Sequence, residues 1–286
     1  MNSYDVIIHN AAIIPPVAYL NPVLSHAVNV TGTQNLINAT HNLEKRPKFI
    51  FISSYSVHGS QNPHKEYPLL TGDSPVNPGD NYGKQKIECE NKLKESNLSW
   101  TIIRFPAVFG IDPNANQHPD TMRFAFLLPT DRKEHAIDVR DAALAVVNAI
   151  DADTNTRTFD IGGDETWKKT ASELMDALFE VRGLKPLPES AYRKADPKVD
   201  ESWYYEGWID TKPSEEILNY QKHSFDDYLK ELRKNVGIQR YFLKLLGTTI
   251  QKNLLKDSPF YGKPEKIDSR VFWESLCDEF NIKEEN

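Results

Sequence analysis

The sequence predicts an α/β protein with a parallel sheet, a smaller C-terminal lobe and a helical tail. Three observations carry this prediction. Short apolar runs alternate with helical stretches over the first 165 or so residues. The pair Gly162-Gly163 closes that alternation, and helical patterns dominate after it. Alternating strands and helices are typical of parallel sheets with right-handed crossovers.

Four strands and three helices are predicted in the first part of the chain. The run at 49–53 is continuously apolar until its final serine, as expected of a parallel strand buried on both faces. The stretch 142–150 is apolar on most sides, which predicts a buried helix. Residues 63–80 are rich in Pro, Gly, Asn and Asp and predict a loop. The remaining predicted strands are 6–9, 100–104 and 158–161, and the remaining helices are 24–40 and 82–95.

The second part begins with a helix signal. Thr170 and Glu173 have the spacing of a capping box, which opens a helix to about Arg182. A connector rich in Pro and charge follows at 186–200, and another helix is predicted at 224–234. Between them lies an aromatic group, Trp203, Tyr204, Tyr205 and Trp208. We therefore predict domain boundaries at 1–165, 166–235 and 236–286.

The tail contains an amphipathic pattern with two interpretations. Its apolar positions share one helical face, and basic residues lie elsewhere on the helix. The favoured interpretation is packing of that face onto the protein body. The alternative is a helix for a membrane surface or a partner, a use common for basic amphipathic helices. The apolar positions are Tyr241, Phe242, Leu245, Leu246, Thr249, Ile250 and Leu254.

Composition limits the partners and the compartment. A net charge of −7 disfavours a general nucleic-acid partner. Cys89 and Cys277 are far apart and form no metal-ligand spacing, and no metal site is predicted. No apolar run approaches the ~20 residues of a membrane span, and no signal-peptide pattern is present. A cytoplasmic location is the resulting prediction.

Two residues on the predicted helix 82–95 suggest proton chemistry. Tyr82 and Lys86 are four positions apart, so both side chains share one face. A free tyrosine has a pKa near ~10, and a neighbouring ammonium lowers it. The pair would then exchange a proton with a substrate oxygen. The alternative interpretation is a solvated helix face.

Ser54 lies where a parallel sheet binds ligands. It follows the strand 49–53, and ligands bind at the carboxyl ends of such strands. Its hydroxyl would donate to the same substrate oxygen. The alternative is that Ser53 and Ser54 only end the strand.

Seven segments in chain order resemble the extended short-chain dehydrogenase/reductase family, which includes nucleotide-sugar epimerases and dehydratases. The similarity extends over roughly residues 4–235, because Gly207-Trp-Ile-Asp-Thr211 and, later, Ser224-Phe-Asp-Asp227 resemble the end of the family's substrate lobe. The segments are Asp5-Val-Ile-Ile-His-Asn-Ala-Ala12, 29–36, 53–59, Tyr82-Gly-Lys-Gln-Lys86, Arg104-Phe-Pro-Ala-Val-Phe-Gly110, 135–143 and Phe159-Asp-Ile-Gly-Gly163.

The resemblance implies a partial Rossmann-like sheet, consisting of the later strands only, and a cofactor that is NAD or NADP. In it Tyr82 is the general acid/base, and Lys86 holds the nicotinamide ribose and lowers the Tyr82 pKa. Ser54 orients the substrate oxygen, and Asn29 supports the local helix or a water relay. The implied activity is that of an NAD(P)-dependent oxidoreductase or a nucleotide-sugar epimerase/dehydratase. The implied cofactor-binding residues are His9, Ala11, Ala12, Asn29, Ser53, Tyr82, Lys86, Pro106 and Val108.

The resemblance also assigns the segments. Residues 1–165 correspond to an incomplete NAD(P)-binding domain, 166–235 to a substrate-binding lobe and 236–286 to a helical extension. The substrate is then a sugar nucleotide or a small carbonyl or alcohol compound.

One family feature is missing from these 286 residues. They contain no Gly-x-Gly-x-x-Gly turn, the element that presents backbone N–H groups to a pyrophosphate. Three interpretations stay open: a truncated enzyme that is weak or inactive alone, a non-catalytic binding or scaffold protein, and an active enzyme whose cofactor pocket is completed by another chain or an unusual site. We expect weak NAD(P) binding by this chain. We also expect association, or a homo-oligomer, through the open edge of strand 6–9.

Overall fold

The computed structural model describes residues 4–113, 115, 118–205 and 207–282. The strands are β1 (Val6–His9), β2 (Lys48–Ser54), β3 (Trp100–Phe105), β4 (Val108–Phe109), β5 (Lys133–His135), β6 (Ile137–Asp138), β7 (Arg157–Asp160), β8 (Lys168–Thr170), β9 (Lys194–Ala195) and β10 (Ile267–Asp268). The α-helices are α1 (Val17–Leu20), α2 (Pro22–His26), α3 (Gly32–His41), α4 (Asn81–Lys94), α5 (Thr121–Leu127), α6 (Val139–Asp151), α7 (Ala171–Val181), α8 (Lys212–Leu218), α9 (Phe225–Val236), α10 (Gln239–Leu254) and α11 (Phe272–Phe280).

A parallel sheet organises the first part of the chain. Its strand order is β1-β2-β3-β7, and every neighbouring pair is parallel. Ile7 lies opposite Phe49, and Phe51 lies opposite Ile102. All four predicted strands are present, with ends shifted by at most one residue, so the α/β fold class with a parallel sheet is confirmed.

Alternation along β2 places helices on both faces of the sheet. Successive strand residues point to opposite faces. Ile50 and Ile52 pack with alanines of α6, whereas Phe49 and Phe51 pack with residues of α3 and α4. The result is a sheet between two helical layers, with the loops at its carboxyl edge left to form a site.

The predicted helix 24–40 is interrupted in the structure. It consists of α2 and α3 joined by a π-helical turn, Ala27–Thr31. Such turns insert an extra residue into the hydrogen-bonding pattern and occur frequently at functional sites. The turn carries Asn29, one of the predicted site residues.

The second part contains a separate aromatic cluster. The predicted capping box is confirmed, because Thr170 and Glu173 bond reciprocally at the start of α7. Trp167 is fully buried, and its ring lies 5.0 Å from that of Phe225 and 5.1 Å from that of Tyr228. Helix α9 therefore packs on Trp167, in the turn before β8, through aromatic contacts, and on α7 through Leu174, Leu178 and Val181. The division at 165 and 235 stays a prediction.

The favoured prediction for the tail is wrong for most of the apolar face. Tyr241, Phe242, Leu245 and Leu246 of α10 are each more than half exposed, whereas Leu254 at the end of the helix packs onto the body. The opposite side of the helix makes the contact, where Gly247 is buried near Leu184. A small residue lets the backbone approach closely there, which the apolar pattern alone does not reveal. In the described part of the chain, no helix has both the length and the apolarity to cross a bilayer.

Candidate functional site

A cavity of about 740 Å³ opens at the carboxyl ends of β1, β2 and β3. Its lining brings together seven of the ten predicted site residues: Ala12, Ser53, Ser54, Tyr82, Lys86, Pro106 and Val108. Ser53 and Ser54 end β2, and Ala12 and Pro106 follow β1 and β3, because the carboxyl ends of adjacent parallel strands meet at one edge of a sheet. Val108 comes from β4, and α4 supplies Tyr82 and Lys86.

Tyr82 and Ser54 form the polar centre of this cavity. Tyr82 lies in the first turn of α4 and is almost fully buried. Burial raises the pKa of the Tyr82 phenol, and a hydrogen bond with Ser54 opposes that rise only in part. The pKa of the phenol is therefore raised overall, and the lowering effect of Lys86 stays a prediction. The phenol is neutral near pH 7 and is a proton donor in that state.

Lys86 lies one turn further along α4. Its ammonium donates to the Ile52 carbonyl oxygen at 2.8 Å, and it lies 5.0 Å from the ring centre of Phe51 and 5.7 Å from that of Tyr82. Desolvation lowers the pKa of Lys86 to about 8. One N–H of the Lys86 ammonium thus bonds to strand β2, and the Lys86 side chain still lines the cavity.

Asn29 is brought near the site but not into the cavity. Its amide donates to the carbonyl oxygen of Ile13 at 2.9 Å and to Gln85 Oε1 at 2.9 Å. Its own carbonyl accepts from the Ile13 backbone N–H at 2.8 Å. Asn29 therefore ties the loop after β1 to helix α4, and it does not line the cavity. This arrangement fits the predicted support of the local helix.

Two predicted cofactor-binding residues lie away from the cavity. His9 is buried with Nε2 2.8 Å from Thr33 Oγ1, and its ring packs near Phe49 and Phe51. Because strand side chains alternate, the neighbours Ile8 and Asn10 line the cavity instead. Ala11 is exposed and outside the lining. The roles predicted for His9 and Ala11 as direct contacts stay predictions.

A buried ionic network supports the floor of the site. Ser53 Oγ donates to Glu90 Oε1 at 2.7 Å. Arg104 donates to both Glu90 oxygens, at 2.9 and 2.8 Å, and lies 3.6 Å from Asp160. His58 Nε2 lies 2.6 Å from the other Asp160 oxygen. The network joins β2, β3, β7 and α4 directly behind Ser54.

The charges in this network stabilise one another. Burial alone would raise the pKa of Glu90, but the Arg104 guanidinium and the Ser53 hydroxyl hold it below its usual value. The same pairing raises the pKa of Arg104. Sequence reasoning missed Glu90, although it is four residues after Lys86 and therefore on the same side of the helix.

Asp80 fixes the start of α4 and hence Tyr82. Its carboxylate accepts from the Gly83 N–H at 2.6 Å as a helix cap, and the Tyr19 hydroxyl donates to its other oxygen. Burial raises the pKa of Asp80 to about 6. The raised value follows because desolvation outweighs these hydrogen bonds.

The far wall of the cavity is aromatic with one ion pair. Phe124, Tyr204 and Tyr205 line it, together with Arg132 and Glu134. The Arg132 guanidinium donates to the Glu134 carboxylate, and both side chains are buried. An aromatic wall with one polar pair suits a ligand with a ring or carbon chain bearing hydroxyl groups. The sequence marked the tyrosines only as an aromatic group.

These residues fit one end of a dinucleotide. Lys86 suits a ribose hydroxyl, and Ala12, Pro106 and Val108 form an apolar surface that suits a nicotinamide ring. Tyr82 and Ser54 lie beside that surface. The cavity thus offers a hydrogen-bond donor for the ribose and an apolar surface for the nicotinamide ring.

Comparison with known proteins gives a family match over most of the chain. The family model described as "RmlD substrate binding domain" matches residues 1–232. D-erythronate dehydrogenase from Haemophilus influenzae is 26% identical over 108 residues, 36% of this chain and 33% of that protein. The match thus spans about a third of the length of this relative.

Solved structures share the fold. UDP-glucuronic acid 4-epimerase from Bacillus cereus, in complex with UDP-glucuronic acid and NAD, superposes with a TM-score of 0.61 at 21% identity. The alignment covers 81% of this chain and 75% of that one. RMD from Pseudomonas aeruginosa, complexed with NADPH, gives a TM-score of 0.63 at 17% identity and covers 81% of each chain. These similarities confirm the Rossmann-like fold.

Proposed function

The chain belongs to the RmlD substrate binding domain family, and from that membership we propose that it is an NAD(P)-dependent enzyme of the extended short-chain dehydrogenase/reductase type. The observation that carries the proposal is the convergence of Ser54, Tyr82 and Lys86 on one cavity at the carboxyl edge of the sheet. A dehydrogenase and an epimerase or dehydratase both need a proton-transferring side chain beside a hydride-transferring cofactor, so the proposal includes both kinds of enzyme.

Each of the three side chains has a separate task. Tyr82 exchanges a proton with the substrate oxygen, and Ser54 donates a hydrogen bond to that oxygen. Lys86 offsets the negative charge that Tyr82 acquires when it gives up its proton. NAD or NADP supplies the hydride acceptor and donor when bound. Because burial raises the pKa of Tyr82, its phenol carries its proton in the resting protein.

The substrate class is a sugar nucleotide or a small carbonyl or alcohol compound. The aromatic wall and the Arg132–Glu134 pair support a polyhydroxylated ligand. Similar proteins point the same way: one is named D-erythronate dehydrogenase, and the structure of another contains UDP-glucuronic acid. We therefore propose a hydroxyl-rich substrate, with a cytoplasmic location as a prediction.

We further propose that these 286 residues alone hold NAD(P) weakly. They contain no Gly-x-Gly-x-x-Gly turn to receive the pyrophosphate. Calorimetric titration of the purified chain with NAD and NADP tests this directly, and tight binding of either nucleotide would overturn it.

The experiment for the activity is a substrate screen followed at the NAD(P)H absorbance. Sugar nucleotides and four- to six-carbon hydroxy acids are offered with each nucleotide at saturating concentration. Tyr82→Phe is expected to lower the rate by about 10²–10⁴-fold, the usual contribution of a positioned acid/base. Tyr261→Phe is the matched control, because Tyr261 is exposed and outside the cavity. Equal rates for both variants would contradict the assignment and favour a non-catalytic binding role.

A further inference from the structure

The outer face of α10 is apolar, the reverse of an ordinary surface helix. Ile238 is 74% exposed, Phe242 65% and Leu245 82%. Tyr241 and Leu246 flank them and are also more than half exposed. At 100° per residue these five positions form one continuous stripe along the helix. We call this stripe the α10 outer face.

The helix is held on the body by its other side, so the α10 outer face is presented to the exterior. Gln251 Nε2 donates to the carbonyl oxygens of Lys185 and Pro186, at 2.8 and 3.0 Å. Leu254 packs into the cluster of Phe126 and Phe179. These contacts fix the rotation of the helix, and the stripe does not depend on a loosely attached segment.

Basic residues are concentrated in and around α10. Residues 232–256 contain six basic residues and no aspartate or glutamate. The whole chain has 34 basic residues, so the remainder carries 28 against 41 acidic residues. The six basic residues of this segment are Arg233, Lys234, Arg240, Lys244, Lys252 and Lys256. Within α10 itself the basic residues are Arg240, Lys244 and Lys252, with no acidic residue among them, while Arg233 and Lys234 end α9 and Lys256 follows α10.

We propose that the α10 outer face binds an anionic lipid bilayer, with the helix lying in the plane of the interface. Apolar side chains of such helices enter the boundary between headgroups and acyl chains, and basic side chains attract anionic headgroups. The charge argues against a second copy of the chain as occupant, because two such faces would bring like charges together. The proposal is independent of the reaction at the cavity.

Flotation with vesicles tests this proposal on the full chain. Vesicles of phosphatidylcholine alone are compared with vesicles that also contain phosphatidylglycerol. The protein is expected to float with the anionic vesicles, to remain unbound with the neutral ones, and to be released by about 0.5 M NaCl. Phe242→Ser/Leu245→Ser is expected to lower the bound fraction at least about tenfold, and Lys244→Glu/Lys252→Glu to do the same.

The control removes two exposed apolar residues elsewhere. Val23→Ser/Leu69→Ser is expected to leave flotation unchanged, since both positions are exposed and outside residues 232–256. Circular dichroism confirms that each variant is folded. No flotation with anionic vesicles, or equal loss in the control, would overturn the proposal. So would a dimer in sedimentation velocity that only Phe242→Ser/Leu245→Ser dissociates, because a second copy would then cover the face.

Discussion

Removing the charge of Glu90 is expected to destabilise the fold more than any surface charge change. Both Glu90 and Arg104 are buried, and the pair is bidentate, at 2.9 and 2.8 Å. Removing one partner of a buried pair leaves the other charge uncompensated, which costs about 3–5 kcal/mol. Asp160, 3.6 Å from Arg104, offsets part of that charge. We therefore expect Glu90→Gln to lower the free energy of unfolding by about 3 kcal/mol.

Urea unfolding followed by tryptophan fluorescence and circular dichroism measures this change. Glu88→Gln is the matched control: it lies on the same helix, is largely exposed, and pairs with Lys92 at 3.4 Å on the surface. Its expected cost is below about 0.5 kcal/mol. The double variant Glu90→Gln/Arg104→Met is expected to lose at least about 1 kcal/mol less than the sum of the single variants. Additive effects, or a Glu90→Gln cost equal to that of the control, would refute the reasoning.

Three further outcomes follow from the structure. The folded-state pKa of Asp80, about 6, is above the usual 3.8, so folding favours the protonated carboxyl. As the pH falls from about 7 to about 4, the free energy of unfolding of the wild type should therefore rise by up to about 3 kcal/mol relative to that of Asp80→Asn. Paired urea titrations of the two proteins measure this difference. Ile8, on the open edge strand β1, is 43% exposed; Ile8→Lys should reduce concentration-dependent association in sedimentation velocity, and an unchanged profile would contradict pairing through that edge. Lys86 loses its charge as the pH rises through about 8; affinity for reduced nicotinamide mononucleotide should fall over that range, whereas a flat profile would exclude a role for the ammonium.

Local patterns predicted the sheet and the centre of the site. The apolar run ending at Ser54 and the four-residue spacing of Tyr82 and Lys86 are sequence-local signals, and the structure brings these residues to one cavity. Their convergence follows from topology, because neighbouring parallel strands end at one edge.

Features that depend on distant residues were not predictable. Glu90 and Arg104 are paired only because α4 crosses β3 at that point. His9 turns inward because β1 alternates, and a resemblance cannot show which side of the strand faces a ligand. The rotation of α10 depends on Gly247 and Gln251 meeting the body, whereas the apolar pattern alone favoured the opposite rotation.

On the proposed function, this chain supplies the nicotinamide end of an NAD(P) site. Titration of the purified chain with reduced nicotinamide mononucleotide and with NADH, followed by fluorescence, tests it most directly. Because the residues proposed to hold the cofactor serve only the nicotinamide ring and its ribose, the two affinities should agree within about threefold, and Lys86→Met should abolish both. NADH binding more than about 100-fold tighter than the mononucleotide, or binding unaffected by Lys86→Met, would contradict the account.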